Sequence, residues 1–167
     1  MCTRVCLSVS EHMSFTLPKY HGSQEHKVDP KYRMSIPVAW RPEDGEQLIL
    51  QKLSKNGTPF IRALSVSAFE DAVNAINNHT SRTVGEIREA IAYLYETILV
   101  VNLNSQGKLL IPKDWSNQAG IEAESTVKLV GHGNYFDIFN AADHAKISEA
   151  MRERVCTSMA DIGVFSS

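Results

Sequence analysis

Apolar residues come in short β-rich runs along much of this chain, and turn-forming residues separate the runs. Strands are predicted at 23–28 and 33–36, at 47–52 and 60–64, and at 126–130 and 135–139. Asp, Pro, Gly and Asn lie between the members of each pair, so each pair is predicted to form a hairpin.

Other segments carry apolar residues at helical spacing. The sequences Ser67-x-x-Glu70 and Thr83-x-x-Glu86 match capping boxes, and a third helix is predicted to begin at Asn140. The apolar stripes of the three helices are Phe69, Val73 and Ile76; Ile87, Ile91, Leu94 and Ile98; and Ile147, Met151 and Val155. We predict that these stripes pack on the core, with a subunit interface as the alternative.

One stretch of the chain occurs twice. Residues 28–40 (VDPKYRMSIPVAW) align without a gap with residues 103–115 (LNSQGKLLIPKDW), at a constant offset (104 − 29 = 75). In each copy the proline is predicted to open a short helix that runs to Gly45 or Gly120, with its tryptophan packed inward. Each half is too small to bury enough surface alone, so the halves are predicted to share one core.

Composition indicates a folded protein, with 43% hydrophobic and 22% charged residues. The net charge of −2 argues against nucleic-acid binding unless positive charge is concentrated locally. Basic residues do collect in or beside the two copies: Lys27, Lys31, Arg33, Arg41, Lys108 and Lys113.

Neither a metal site nor a catalytic site is predicted. Cys2, Cys6 and His12 lack a fourth ligand, and an odd cysteine count (with Cys156) indicates reduced thiols in a cytosolic protein. Gly107-Lys108 lacks the upstream glycine and the hydroxyl of a phosphate-binding loop. We therefore expect no enzyme activity, cofactor or small-molecule substrate, and the absence of a long apolar run predicts no membrane span or secretory signal.

The polar loops inside the repeat are candidates for binding. Asp29 and Asn104 can each accept hydrogen bonds from backbone N–H groups a few residues on, which would shape the loop. Gly107 can adopt positive φ without steric cost. Arg33 and Lys108 would then be held at the loop base, with Lys31 nearby, to contact phosphates or guanine. The alternative is that these are ordinary solvated charges.

These residues resemble a known family. The span Tyr20–Lys146 is similar to the MraZ bacterial transcription regulators through "VDPKYRMSIP" and "LNSQGKLLIPKDWSNQAGIEAESTVKLVGHGNYFDIFN". The resemblance implies two tandem SpoVT-AbrB units with swapped-hairpin β-barrels, a ring-shaped homo-oligomer, and binding to promoter DNA of cell-division and cell-wall operons. It also implies a cytoplasmic, nucleoid-associated protein.

The sequence departs from the family pattern at both loops. Tyr32 replaces a glycine, so the first loop is expected to adopt a different turn. Asn104 and Lys108 replace aspartate and arginine, and lysine keeps the charge but loses the forked geometry. Arg33 is therefore the residue expected to matter most for binding DNA.

The predicted fold is mainly β with flanking α-helices, in two AbrB-like units related by a pseudo-twofold axis. The predicted segments are an N-terminal tail (1–19, with Met13 as an alternative start), unit 1 (20–66), a helical connector (67–97), unit 2 (98–141) and a C-terminal helix and tail (142–167). The predicted function is DNA-binding transcription regulation, and the alternative is an oligomeric scaffold with decayed DNA motifs.

Overall fold

The computed structural model describes residues 16–160 and 162–163 of the 167-residue chain. The cysteine and histidine set at residues 2, 6 and 12 and the alternative start at residue 13 lie outside the described residues. The strands are β1 (Ser23–Lys27), β2 (Arg33–Ser35), β3 (Leu48–Lys55), β4 (Thr58–Ser65), β5 (Ile98–Val101), β6 (Lys108–Leu110), β7 (Thr126–Gly131) and β8 (Tyr135–Asn140). The α-helices are α1 (Val66–Asn77), α2 (Val84–Glu96), α3 (Lys113–Gln118) and α4 (Ala141–Ser158), and Val38–Trp40 forms a short 3-10 helix.

The strands form two antiparallel sheets. The larger sheet has the order β1-β7-β8-β4-β3-β5, and β2 and β6 form a separate two-stranded sheet, the β2–β6 ribbon. The predicted hairpins β3–β4 and β7–β8 are confirmed. The predicted hairpin of β1 with β2 is wrong, because β1 pairs with β7 and β2 pairs with β6.

Several helix predictions need correction. The capping box at Thr83 and Glu86 is confirmed, but the N-cap of α1 is Ser65, whose Oγ accepts the Ala68 N–H at 3.1 Å. Ile98 begins β5 instead of continuing α2, because it pairs with β3. The 3-10 helix ends at Trp40, well before Gly45, because Pro42 disfavours helical backbone at Arg41, which is extended.

Two strand pairings each contain a pair of opposite residues that are 75 positions apart in the sequence. In the β4–β8 pairing Arg62 is opposite Asp137, and in the β2–β6 ribbon Met34 is opposite Leu109 (109 − 34 = 75). The separation equals the offset of the two repeated stretches. Each pairing therefore joins corresponding positions of the two halves of the chain.

The two halves share one core. Met34 and Leu109 are both buried, and the rings of Tyr20, Trp40 and Phe136 pack together at centroid distances of 5.1–5.9 Å. Trp40 is buried as predicted, whereas its counterpart Trp115 is only half-buried. Burial of such aromatic groups is a major source of stability, so neither half is expected to fold without the other.

An ion pair lies on the face of the large sheet that points away from the shared core, because Arg62 and Asp137 alternate with core residues of β4 and β8. Arg62 donates to Asp137 through Nε at 2.8 Å and Nη2 at 3.1 Å, and it stacks on the Tyr135 ring. His132 lies 3.3 Å from the same carboxylate. Burial raises the pKa of Asp137, but the contacts with His132 and Arg62 outweigh this effect, and the pKa lies below its ordinary value.

Candidate nucleic-acid interface

The first loop of the repeat, residues 29–33, closes on itself. The Asp29 N–H donates to the Arg33 carbonyl at 2.8 Å, and the Tyr32 N–H donates to the Asp29 carbonyl at 3.0 Å. Asp29 Oδ1 accepts the N–H groups of Lys31 and Arg33 at 2.8 and 3.0 Å. Asp29 therefore shapes the loop in the way that the sequence predicts.

The second loop, residues 104–108, repeats these bonds. The Asn104 N–H donates to the Lys108 carbonyl at 3.0 Å, and the Gly107 N–H donates to the Asn104 carbonyl at 2.9 Å. Asn104 Oδ1 accepts the N–H groups of Gln106 and Lys108, both at 2.9 Å. Gly107 has φ of 72°, as the sequence predicts.

The expectation of a different turn in the first loop is wrong. Tyr32 has φ of 59°, close to the φ of Gly107, and the two loops share their hydrogen bonds. The Tyr32 carbonyl also accepts the Ile111 N–H at 3.1 Å, as the Gly107 carbonyl accepts the Ile36 N–H. Half-burial of the Tyr32 ring against the core offsets the cost of positive φ, so tertiary contacts override the local preference.

The ribbon brings the two basic residues to one face. Met34 and Leu109 point into the core, and side chains alternate along a strand, so Arg33 and Lys108 point to the opposite, outer face. Arg33 is opposite Leu110 and Lys108 is opposite Ser35, which makes the two basic residues diagonal neighbours. Diagonal neighbours in an antiparallel pair lie about 7–8 Å apart.

The two basic side chains are held differently. Arg33 Nε donates to Asp29 Oδ2 at 2.7 Å, which leaves the terminal guanidinium nitrogens available. Among the described residues, the ammonium groups of Lys31 and Lys108 make no hydrogen bond or ion pair. Desolvation raises the pKa of Asp29, but the hydrogen bonds from Arg33 and Lys31 outweigh it, so the pKa lies below its usual range.

The second loop has neighbours that the sequence does not reveal. A groove beside it is lined by Arg41, Asn104 and Gly107 together with three carboxylates, Glu43, Asp44 and Glu46. Gly107 and Arg41 are in contact, since a Cβ on residue 107 would collide with the guanidinium of Arg41. The sequence places Arg41 near the first copy only, and no local pattern predicts its contact with the second.

The described residues offer little for other chemistries. Within 16–160 and 162–163, no cluster of His, Cys, Asp and Glu is arranged to hold a metal ion. Over the same residues, no helix combines the length and the apolar character that a membrane crossing requires.

Comparison with known proteins gives a consistent result. Curated proteins named transcriptional regulator MraZ are similar to the chain: 27% identical in Dehalococcoides mccartyi (81% of this chain, 92% of that protein), 25% in Alkaliphilus oremlandii (86% and 98%) and 24% in Acetivibrio thermocellus (87% and 99%). The resemblance to the MraZ family is confirmed. No protein-family model matches the chain.

One solved structure is also similar in part. The solution structure of PHS018 from Pyrococcus horikoshii covers 71% of this chain and 87% of its own, at 13% identity and a TM-score of 0.32. The similarity extends over nearly the whole length of these MraZ proteins, which are named transcriptional regulators and not enzymes.

Proposed function

We propose that the chain is a DNA-binding transcription regulator of the MraZ type that acts without catalysis. In this proposal it binds repeated promoter boxes of a cell-division or cell-wall operon through the outer face of the β2–β6 ribbon. The observation that carries the proposal is the placement of Arg33 and Lys108 as diagonal neighbours on that face. A two-stranded ribbon fits the major groove of B-DNA, where base edges are read.

Arg33 is the proposed reader. Its Nε is bound to Asp29, so the side chain is oriented before DNA arrives and less conformational entropy is lost on binding. Its terminal nitrogens can form the paired contact to guanine O6 and N7, which is the commonest specific base contact. Lys31 and Lys108, whose ammonium groups are unpaired among the described residues, would supply phosphate contacts.

The proposal also includes two tandem units within each chain and a ring of several chains. Corresponding positions of the two halves pair at Met34–Leu109 and Arg62–Asp137, which supports two tandem SpoVT-AbrB-like units. A ring of such chains would present many ribbons to repeated DNA boxes, and multivalency would strengthen modest contacts. Association with the nucleoid in the cytoplasm would follow from this activity. The predicted five-segment division of the chain also remains a proposal.

The second candidate function is an oligomeric scaffold that no longer binds DNA, and helix α2 carries exposed apolar residues that such a scaffold would use. Helix α2 has no fully buried residue, and Val84, Tyr93 and Tyr95 are 66%, 67% and 56% exposed. Val84 and Tyr95 lie on one side of α2, and Tyr93 lies on the opposite side. Exposed apolar residues on a helix are typical of a protein contact, and both the scaffold and the proposed ring would supply one.

Salt dependence separates the two functions. The purified chain is titrated by fluorescence anisotropy against duplex DNA from upstream of its own coding sequence and against a shuffled duplex, at two salt concentrations. We expect tighter binding to the native duplex and a steep loss of affinity as salt rises, because bound phosphates release counterions. Equal weak binding to both duplexes, or none, would reject the regulator in favour of the scaffold.

A further inference from the structure

The second loop lacks a clamped guanidinium of its own but is in contact with one. Lys108 replaces the basic residue that Arg33 supplies in the first loop, and Asn104 is neutral, so no ion pair fixes the lysine. Arg41 comes from the first half of the chain and packs directly against Gly107 of the second loop. The absence of a side chain at Gly107 makes room for that contact.

The backbone of one residue, Ile36, links Arg41 to Gly107. The Ile36 carbonyl accepts Arg41 Nε at 2.9 Å, and the Ile36 N–H donates to the Gly107 carbonyl at 3.1 Å. Ile36 is itself fully buried, which makes it a rigid anchor. Arg41 is thus oriented through Nε by a backbone oxygen, much as Arg33 is oriented through Nε by Asp29.

The terminal nitrogens of Arg41 have no fixed partner. Arg41 forms no ion pair among the described residues, although Glu43, Asp44 and Glu46 line the same groove. An unpaired guanidinium is a strong ligand for phosphate, to which it can donate two parallel hydrogen bonds. The corresponding position of the other half is Ser116 (116 − 41 = 75), so this arrangement exists at the second loop alone.

We infer that Arg41 contacts a DNA phosphate at the second loop and so supplies the guanidinium that Lys108 does not. This inference rests on the proposed DNA binding and adds a residue to it. Since a phosphate contact carries no sequence information, Arg41 contributes to affinity for any duplex, whereas Arg33 contributes to the choice of sequence.

The test measures the dissociation constant of Arg41→Gln and Arg41→Lys chains for the native and shuffled duplexes over a series of salt concentrations. Glutamine can still donate to the Ile36 carbonyl but carries no charge. We expect Arg41→Gln to bind both duplexes about tenfold more weakly, as for one charge-assisted hydrogen bond. In Arg41→Gln, the slope of the log binding constant against the log salt concentration should become less steep by about 0.9 per bound chain. Arg41→Lys should keep most of the wild-type slope.

Arg154→Gln is the matched charge control, because Arg154 is exposed on α4, outside both loops and outside α2. It should bind both duplexes like the wild type, and thermal unfolding of each variant checks that the fold persists. If Arg41→Gln bound DNA with the affinity and the salt dependence of the wild type, the inference would be overturned and the proposed function would stand. A wild-type chain that binds neither duplex would instead remove the proposed function.

Discussion

The two loops of the repeat have the same backbone and different chemistry. Both are closed by the same pattern of main-chain hydrogen bonds, with a short polar side chain accepting two N–H groups and a residue of positive φ before the basic position. Yet Asp29, Tyr32 and Arg33 in one loop correspond to Asn104, Gly107 and Lys108 in the other. The shape therefore depends on one carbonyl-type oxygen and one positive φ, and the other side chains are free to differ.

That freedom changes what each loop offers a ligand. The carboxylate of Asp29 has a second oxygen with which to clamp Arg33, whereas the amide of Asn104 presents no negative charge to Lys108. The glycine of the second loop leaves room for Arg41, whereas Tyr32 fills the corresponding position of the first loop with a ring that packs on the core. The first loop thus carries its own guanidinium, and the second contacts one from the other half.

The largest expected effect comes from removing an ion pair that joins the two halves of the chain. Arg62→Ala leaves Asp137, 3% exposed, with only His132 as an ionic partner among the residues that the structure describes. Removing one member of a buried pair typically costs about 3–5 kcal/mol, because a charge remains buried without compensation. Urea unfolding gives the free energy of unfolding of Arg62→Ala and of His132→Ala. We expect the larger loss in Arg62→Ala, because the His132 ring is already 35% exposed. Losses below about 1 kcal/mol in both would contradict a role for the pair in joining the halves.

A smaller effect is expected from exchanging the residues at positive φ. Gly107→Ala introduces a Cβ that collides with Arg41 at a φ of 72°, and we expect a loss of about 1–3 kcal/mol. Tyr32→Gly relieves the backbone strain but loses the packing of the half-buried ring, so its net change should be smaller. Thermal unfolding compares the two variants. If Gly107→Ala were neutral, the contact with Arg41 would not constrain this position.

The smallest effect concerns the carboxylate of the first loop. Asp29→Asn keeps the oxygen that accepts the backbone N–H groups but removes the ion pair with Arg33, which makes the first loop resemble the second. The folded-state pKa of Asp29 is depressed, so its contribution to stability is present above the unfolded pKa of about 4 and is lost as pH falls through the folded value.

The wild-type chain should therefore have a slightly higher Tm than Asp29→Asn at pH 7, and the difference should shrink as pH falls below about 4 toward the depressed folded-state pKa. Taking the difference between the two chains cancels the titration of carboxylates that they share, including Glu86 and Asp137. A difference in Tm that stays constant from pH 7 to pH 3 would contradict the ion-pair account of the first loop.

Local patterns predicted most elements but not their partners. The β3–β4 and β7–β8 hairpins follow from apolar runs flanking short turns, and in the first of these Asn56-Gly57 adopts the positive φ values of a tight hairpin turn. The pairing of β2 with β6 joins residues far apart in sequence, and a three-residue strand carries no signal that selects a distant partner. The chain order therefore suggested a β1–β2 hairpin that does not form.

The candidate site was predictable in part for the same reason. Local hydrogen-bonding rules account for the backbone N–H groups that bond to Asp29 and Asn104, and those hydrogen bonds are present in both loops. The rule that disfavours positive φ at Tyr32 failed, because the core contact of the ring is not visible to a local rule. The contact of Arg41 with Gly107 depends on how the halves pack, so the spacing along the chain could not reveal it.

The most direct test of the account compares Arg33→Ala with Lys108→Ala in binding to the native and shuffled duplexes. We expect Arg33→Ala to lose the preference for the native duplex without a change in oligomeric state, because the clamped guanidinium is the proposed reader of sequence. We expect a weaker loss of affinity for Lys108→Ala, on both duplexes alike. Undiminished preference for the native duplex in the Arg33→Ala chain would contradict the proposal that Arg33 reads the DNA sequence.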